Sequence, residues 1–289
     1  NVEGRPDLIE RQHKGLNDMV EQKFITKKQA DEAKKVNILD TIQLEEDKYK
    51  DIKAPHFVQM VAQDLKSQLG DKTVGQGGLT VKTTLDYSIQ QKAEEEMNSM
   101  FNSYYPASAG FSNGAATVED VKTGQIVALV GSRDFNYPDF GQDNAATAYI
   151  QPGSSIKPFV YAKLFENKGA DQPNYGSGSV LSDTQFAVPG YPSYKPQNAD
   201  RGYKGGIDIR KSLALSRNIP AIKAMLVSGV QPTLESIRKM GNTNYCTIGA
   251  EKQAGPASSP GGCGTRTGGH TNALAPPPRP GGFRPHTKI

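Results

Sequence analysis

The chain has 289 residues and a net charge of +4, with Lys and Arg scattered among Asp and Glu and no basic block, so nothing points to nucleic-acid binding. A 36% hydrophobic content with ten Phe and twelve Tyr can build a sizeable core, while thirty Gly and nineteen Pro, crowded into the second half, imply long irregular connections around it. No run of eighteen apolar residues occurs and the opening Asn1-Val2-Glu3-Gly4-Arg5-Pro6 is polar, so neither a spanning helix nor a signal peptide is read within these residues.

The first seventy residues read as helical. Leu8, Leu16, Met19 and Val20 recur at helical spacing before a turn at Lys23-Phe24-Ile25. Thr26 and Gln29 make a capping box for a second short helix through Ala30 and Ala33. After Ala54-Pro55, the residues Phe57, Val61, Leu65 and Leu69 share one helix face, with Gly70 as the stop. Residues 71–78 read as a flexible link. Leu79 to Leu85 alternates as a strand, and Asp86 caps a helix to about Met100. Strands at Ala115–Val121 and Gln125–Val130 form a hairpin around Lys122-Thr123-Gly124.

Pro152-Gly153 opens a helix that buries Ile156, Phe159, Val160 and Leu164 and ends at Gly169. Residues 170–206 form a long Gly-, Pro- and Tyr-rich surface excursion, either an ordinary loop or the lining of a peptide groove. Helices follow at Ile207–Ala214, Pro220–Val227 and Pro232–Met240, two of them with an early Pro. From Gly249 onward Gly and Pro dominate. Cys246 and Cys263 are either free thiols or a loop-closing disulfide. With His270 they lack the paired short spacing of a zinc site, and no metal or cofactor is expected.

Two short motifs carry chemistry. Ser154 and Lys157 stand three apart at a helix start, on one face. A partly buried amine there can act as base for the hydroxyl, and the helix N-terminus offers N–H groups to an oxyanion. About sixty residues later, Ser216-Arg217-Asn218 sits on a turn where a hydroxyl and a carboxamide can face one cleft. Each alone is common: a capping Ser beside a solvated Lys, or a Ser/Asn turn before a Pro-containing helix. A Ser-His-Asp triad has no support from the dispersed His13, His56, His270 and His286, and Gly261-Gly262-Cys263-Gly264 lacks the Gly-Lys-Ser/Thr of a phosphate loop.

In this order the two motifs resemble the Ser-x-x-Lys and Ser-x-Asn of the penicillin-recognising acyltransferases. The flanks resemble the class A penicillin-binding proteins in particular: Gln151-Pro152-Gly153-Ser154 through Lys157-Pro158-Phe159, the hairpin Asp120–Gly131, Gly78-Leu79-Thr80-Val81-Lys82-Thr83-Thr84-Leu85-Asp86 and Gly264-Thr265-Arg266-Thr267. So do Asp18-Met19-Val20-Glu21-Gln22-Lys23-Phe24-Ile25-Thr26 and Ala54-Pro55-His56-Phe57-Val58. The resemblance implies an α+β fold, an antiparallel sheet flanked by helices and preceded by a helical connector. Residues 1–70 would be a glycosyltransferase tail and connector, 71–78 a linker, and 79–289 a transpeptidase domain incomplete at its C-terminal end.

The same resemblance implies a D,D-transpeptidase at the extracytoplasmic face of a bacterial membrane, with Ser154 as nucleophile, Lys157 as base, and Ser216 and Asn218 relaying protons and orienting the donor peptide. Its partners would be stem peptides ending in D-Ala-D-Ala, β-lactams as inhibitors, a lipid-linked glycan strand in the parent protein, and proteins of a cell-wall synthesis complex. Three features depart from the family. Its glycosyltransferase glutamates and membrane anchor would precede residue 1. Its third motif is spelled by Lys122-Thr123-Gly124, but ahead of Ser154 and on a hairpin turn, so the 289 residues alone are expected to acylate weakly or not at all. Four prolines within 275–282 break a segment that should be helical. A serine β-lactamase would need a Glu-x-x-x-Asn loop, and Glu251 is followed instead by Lys-Gln-Ala-Gly. A non-catalytic scaffold with this fold is the other alternative.

Overall fold

Helix formation at the N-terminal end follows local capping chemistry. The computed structural model describes residues 5–36, 52–166, 169, 172–248, 255–274 and 287–289. The first helices are α1 (Arg5–Glu21) and α2 (Lys27–Lys34). At the start of α2 the Gln29 N–H donates to Thr26 Oγ1 at 3.3 Å while the Thr26 N–H donates to Gln29 Oε1 at 2.9 Å, the reciprocal box that the sequence predicts. Gln12 Nε2 donates to the Ala33 carbonyl at 3.3 Å and Lys34 Nζ to Asn17 Oδ1 at 2.6 Å, which ties the two helices together. Residues 1–52 form one compact unit and 53–289 a second.

The second unit begins with α3 (Pro55–Leu69), whose Phe57, Met60 and Val61 are buried in a cluster with Ile126 and Leu129. Its apolar face packs inside the second unit. Leu69, at its last turn, is exposed instead of joining that face. Asp71–Gly75 is a short helix, α4, in place of a flexible link. Residues 79–85 belong to no helix and no strand ladder among the described residues. There the Thr84 N–H donates to the Lys288 carbonyl, the Thr84 hydroxyl to the Ile126 carbonyl, and the Asp86 N–H to the Val127 carbonyl.

Asp86 then caps α5 (Tyr87–Phe101) by accepting from the Ser88 and Ile89 N–H groups. A short α6 (Tyr105–Ala109) precedes the hairpin of β1 (Ala116–Asp120) and β2 (Gln125–Val130), antiparallel with a bulge at Val118/Glu119. Gln90 of α5 donates to and accepts from the backbone of Leu129, which satisfies buried groups of β2 from the side chain of a helix.

The remaining elements follow in chain order. They are β3 (Tyr149–Ile150), α7 (Lys157–Leu164), β4 (Val180–Asp183), β5 (Gly205–Asp208), α8 (Ile209–Ala214), α9 (Asn218–Ser228), α10 (Val230–Lys239), β6 (Thr265–Arg266) and α11 (Thr267–Leu274). Ile156, Phe159, Val160 and Leu164 are all buried as the spacing predicts, packed with Ala221 and Met225 of α9 and Leu234 and Ile237 of α10. The helix ends at Leu164, before the expected stop at Gly169. The stretch read as a surface excursion contains β4, which pairs antiparallel with β5.

The class is α+β, helices around antiparallel strand pairs. Among the described residues those pairs are β1–β2, β3–β6 and β4–β5, so the expected single sheet is present as separate two-stranded pieces. Cys246 and Cys263 form a disulfide. Glu251, Ala275–Gly282 and His286, named in the sequence reading, lie outside the described residues.

Candidate active site

Local sequence puts Ser154 and Lys157 on consecutive turns. A 3-10 turn at Gly153–Ile156 passes directly into α7, with Pro158 in its opening turn where no intrahelical donor is lost. Ser154 is exposed, whereas Lys157 is fully buried. The Ser154 N–H, in the opening turn, has no intrahelical acceptor by position. Behind it lies a segment whose proximity the sequence did not reveal. Gly261 approaches so closely that a Cβ there would lie 2.0 Å from the Gly153 carbonyl oxygen. Gln151 Nε2 donates to the Gly262 carbonyl at 3.1 Å, and the disulfide anchors Cys263 next along the chain.

Ser216 and Asn218 come from the junction of α8 and α9. The Ser216 N–H donates to the Leu213 carbonyl at 3.0 Å and the Arg217 N–H to the Ser212 carbonyl at 2.9 Å. Those two bonds close α8 as a Schellman motif, with Ser216 at the left-handed position that glycine usually fills. Ser216 has φ +52, a conformation that strains a residue with a Cβ. This strain was not legible in the sequence beyond the fact that a turn was expected there.

The two motifs meet at the Lys157 amine. Its Nζ lies 2.6 Å from the Ser216 carbonyl oxygen, 2.7 Å from Asn218 Oδ1, 3.0 Å from Ser154 Oγ and 3.1 Å from Ser216 Oγ. Burial, and then the nearby Arg217 charge, pull its pKa down from 10.5 to about 8. The four oxygens are of two kinds. The carbonyl and carboxamide oxygens only accept, so they take the two N–H bonds of a neutral amine. Its lone pair is then left for the two hydroxyls, which can donate. The arrangement therefore suits an amine that removes a proton from Ser154 and exchanges it with Ser216.

All four residues singled out in the sequence are brought together. Three others were missed: Arg217 itself, Asp183 and Asn198, which lie behind the Ser216–Asn218 turn. The available signal was an Arg two residues before the apolar Ile219-Pro220, a charge that needs an acidic partner once buried. Lys122-Thr123-Gly124 takes no part in this cluster and forms the β1–β2 turn, where Asp120 Oδ1 accepts from the Lys122 and Thr123 N–H groups at 2.7 and 3.1 Å.

A Ser-x-x-Lys turn facing a Ser-x-Asn turn in an α+β frame is the layout implied by the resemblance to penicillin-recognising acyltransferases. Comparison with known proteins agrees. Residues 114–255 match the penicillin binding protein transpeptidase domain. Penicillin-binding protein 1A/1B of Bacillus subtilis is 32% identical over 245 residues, which cover 82% of this chain and 25% of that protein. Penicillin-binding protein 2D of the same organism is 31% identical, over 82% of this chain and 33% of its own length. Among solved structures, PonA1 of Mycobacterium tuberculosis in complex with penicillin V aligns with a TM-score of 0.64 at 22% identity, covering 82% of this chain and 61% of that one. Penicillin-binding protein 1A of Haemophilus influenzae gives 0.58 at 20% identity, over 92% and 51%. The chain belongs to the class A penicillin-binding proteins, with residues 114–255 in their transpeptidase domain, and spans a quarter to a third of the length of these curated relatives.

Proposed function

We propose that these residues carry the acylating half of a cell-wall D,D-transpeptidase. Ser154 Oγ attacks the carbonyl of the penultimate D-Ala of a stem peptide, and its proton passes to the Lys157 amine. The peptide C–N bond breaks, and the proton leaves with the amine of the terminal D-Ala. An amino group of a neighbouring stem then attacks the Ser154 ester and releases the serine, which completes the cross-link. Ser216 shares the proton, and Asn218 orients the donor peptide. β-Lactams resemble the D-Ala-D-Ala end and acylate the same serine.

The observation that carries this reading is the environment of Lys157: two acceptor-only oxygens at 2.6 and 2.7 Å and two hydroxyls at 3.0 and 3.1 Å around one buried amine. The family supplies the substrate class. By the same reading, the parent protein works at the extracytoplasmic face of the bacterial membrane, also polymerises lipid-linked glycan, and acts within a cell-wall synthesis complex. Among the described residues no helix is long and apolar enough to cross a membrane.

The test is covalent labelling of the full-length protein by a fluorescent penicillin. Label is expected on the intact protein and absent from Ser154→Ala, and persistence of the label in that variant would sink the assignment. Residues 1–289 alone are expected to label slowly, because the family's third motif, which supplies part of the oxyanion hole, does not follow Asn218 in this sequence. A missing oxyanion donor costs about a hundredfold or more in rate.

A further inference from the structure

The Ser216–Asn218 turn has a second set of bonds, to partners other than Ser154 and Lys157. The side chain of Arg217 is buried and reaches three partners. Its Nε donates to Asp183 Oδ2 at 2.8 Å, Nη1 to Asp200 Oδ2 at 2.8 Å, and Nη2 to the Gly202 carbonyl. Asp183, at the end of β4, is completely buried, and its other oxygen accepts from Asn198 Nδ2 at 2.8 Å. Asn198 Oδ1 in turn accepts from the N–H groups of Asn218 and Ile219, at 2.8 and 3.3 Å.

Those last bonds act as an N-cap delivered from elsewhere in the chain. Arg217 occupies the cap position of α9 and makes no side-chain cap bond, so Asn198 satisfies the helix's first donors in its place. The neighbouring Gln197 carbonyl accepts from Asn218 Nδ2 at 2.8 Å, which fixes the amide so that Oδ1 faces Lys157. A buried ion pair adds little net stability, because desolvation offsets its Coulomb gain. Here it supplies direction, because each bond fixes the turn from a different side.

We propose that Arg217, Asp183 and Asn198 are positioning residues for acylation, holding the Ser216–Asn218 turn in register with the Lys157 amine. The proposal rests on the acyl-enzyme reading of Ser154. Displacing the turn withdraws the acceptors that leave the amine lone pair free for the hydroxyls, and a misplacement of about 1 Å can cost roughly a hundredfold in rate.

The experiment follows acylation of the full-length protein by a fluorescent penicillin, separating the saturating rate constant from the apparent affinity and recording the final label per molecule. Arg217→Lys and Asn198→Ala are expected to reach the same final stoichiometry as the parent, with a saturating rate about 10- to 100-fold lower and little change in affinity. A role confined to the fold would lower the melting temperature or the labelled fraction but leave the rate per folded molecule unchanged, and that result overturns the proposal. If Arg217→Lys does not fold, Asn198→Ala, which removes no charge, decides the matter on the same readout. Ser154→Ala runs alongside. If it still labels, the acyl-enzyme reading fails and this proposal falls with it. If it is silent while both variants keep the parent rate, the positioning role alone is overturned.

Discussion

Two lysines of the chain stand in short motif-like runs, and their surroundings differ in every respect that matters for chemistry. Lys122 stands on the β1–β2 turn, exposed, with Asp120 bonded to backbone N–H groups around it. Lys157 is buried at the start of α7 among four oxygens, with a pKa held near 8. Lys122-Thr123-Gly124 spells a motif of the family, and Ser154-Ser155-Ile156-Lys157 spells another, yet only the second is converted into a site. The difference lies in what each is folded against. The hairpin turn is closed by its own short-range bonds, while the Lys157 cluster is assembled from segments some sixty residues apart.

The largest effect that would break this contrast is on acylation of the full-length protein. Lys157→Met is expected to lower the rate of penicillin labelling by about 10²–10⁴-fold, the range of general acid–base catalysis, while Lys122→Ala leaves it unchanged. A comparable loss at Lys122 would mean that the hairpin reaches the chemistry after all. The pH profile sharpens the point. If the neutral amine is the base, as proposed, labelling by the parent protein should rise with pH to a midpoint near 8, falling by about tenfold per pH unit well below it.

Stability carries the same signature. The folded pKa of Lys157 lies below its ordinary 10.5, so the unfolded chain binds more protons between those values. The cost of burying the charge is fully present below pH 8 and is relieved as pH rises toward 10.5. Denaturant titrations at several pH values should show that rise in the parent and its absence in Lys157→Met.

Next in size is the anchor behind Ser154. The disulfide closes a loop with a sequence separation of 17, and loop-closure entropy for that length is worth about 3 kcal/mol. Reduction is expected to loosen the segment around Gly261 by up to about that amount and to slow labelling at Ser154, because the freed segment carries Gly261 against Gly153. No such effect is expected on the β1–β2 hairpin, which can be followed through amide exchange at Ile126 and Leu129. Equal loss of protection there would show that the disulfide acts on the whole unit and not on the back of the site.

What the sequence disclosed and what it withheld follow the same division between local and distant bonds. The capping box at Thr26, the cap at Asp86, the hairpin turn and the buried face Ile156, Phe159, Val160 and Leu164 are set by residues within a turn or two of one another. Ser154, Lys157, Ser216 and Asn218 were legible as two short motifs in a recognisable order. The network behind them was not. Asp183 and Asn198 sit in a Gly- and Pro-rich stretch without periodicity, and their use depends on pairing β4 with β5 and on bonds across 20 to 34 residues. Leu79–Leu85 shows the reverse error. Alternation and β-branching fit a strand, but within it only the Thr84 N–H finds a backbone acceptor among the described residues.

The smallest expected effect compares the two regions through backbone strain. Both need a residue in the left-handed region: Gly124 with φ +76 in the hairpin and Ser216 with φ +52 in the site. The hairpin uses the residue that adopts this conformation without a Cβ penalty, while the site uses a hydroxyl-bearing one that does not. Gly124→Ser should therefore cost about 1 kcal/mol of stability and leave labelling per folded molecule unchanged. At the site, Ser216→Gly and Ser216→Ala both remove the hydroxyl, so both should slow labelling alike. They should differ in stability, with Ser216→Gly the more stable by about 1 kcal/mol because only it relieves the strain. Chemical denaturation of the pair reads that difference directly. If Ser216→Ala proved as stable as Ser216→Gly, the turn would carry no strain, and Ser216 could no longer be regarded as a residue whose hydroxyl is kept at the expense of the fold.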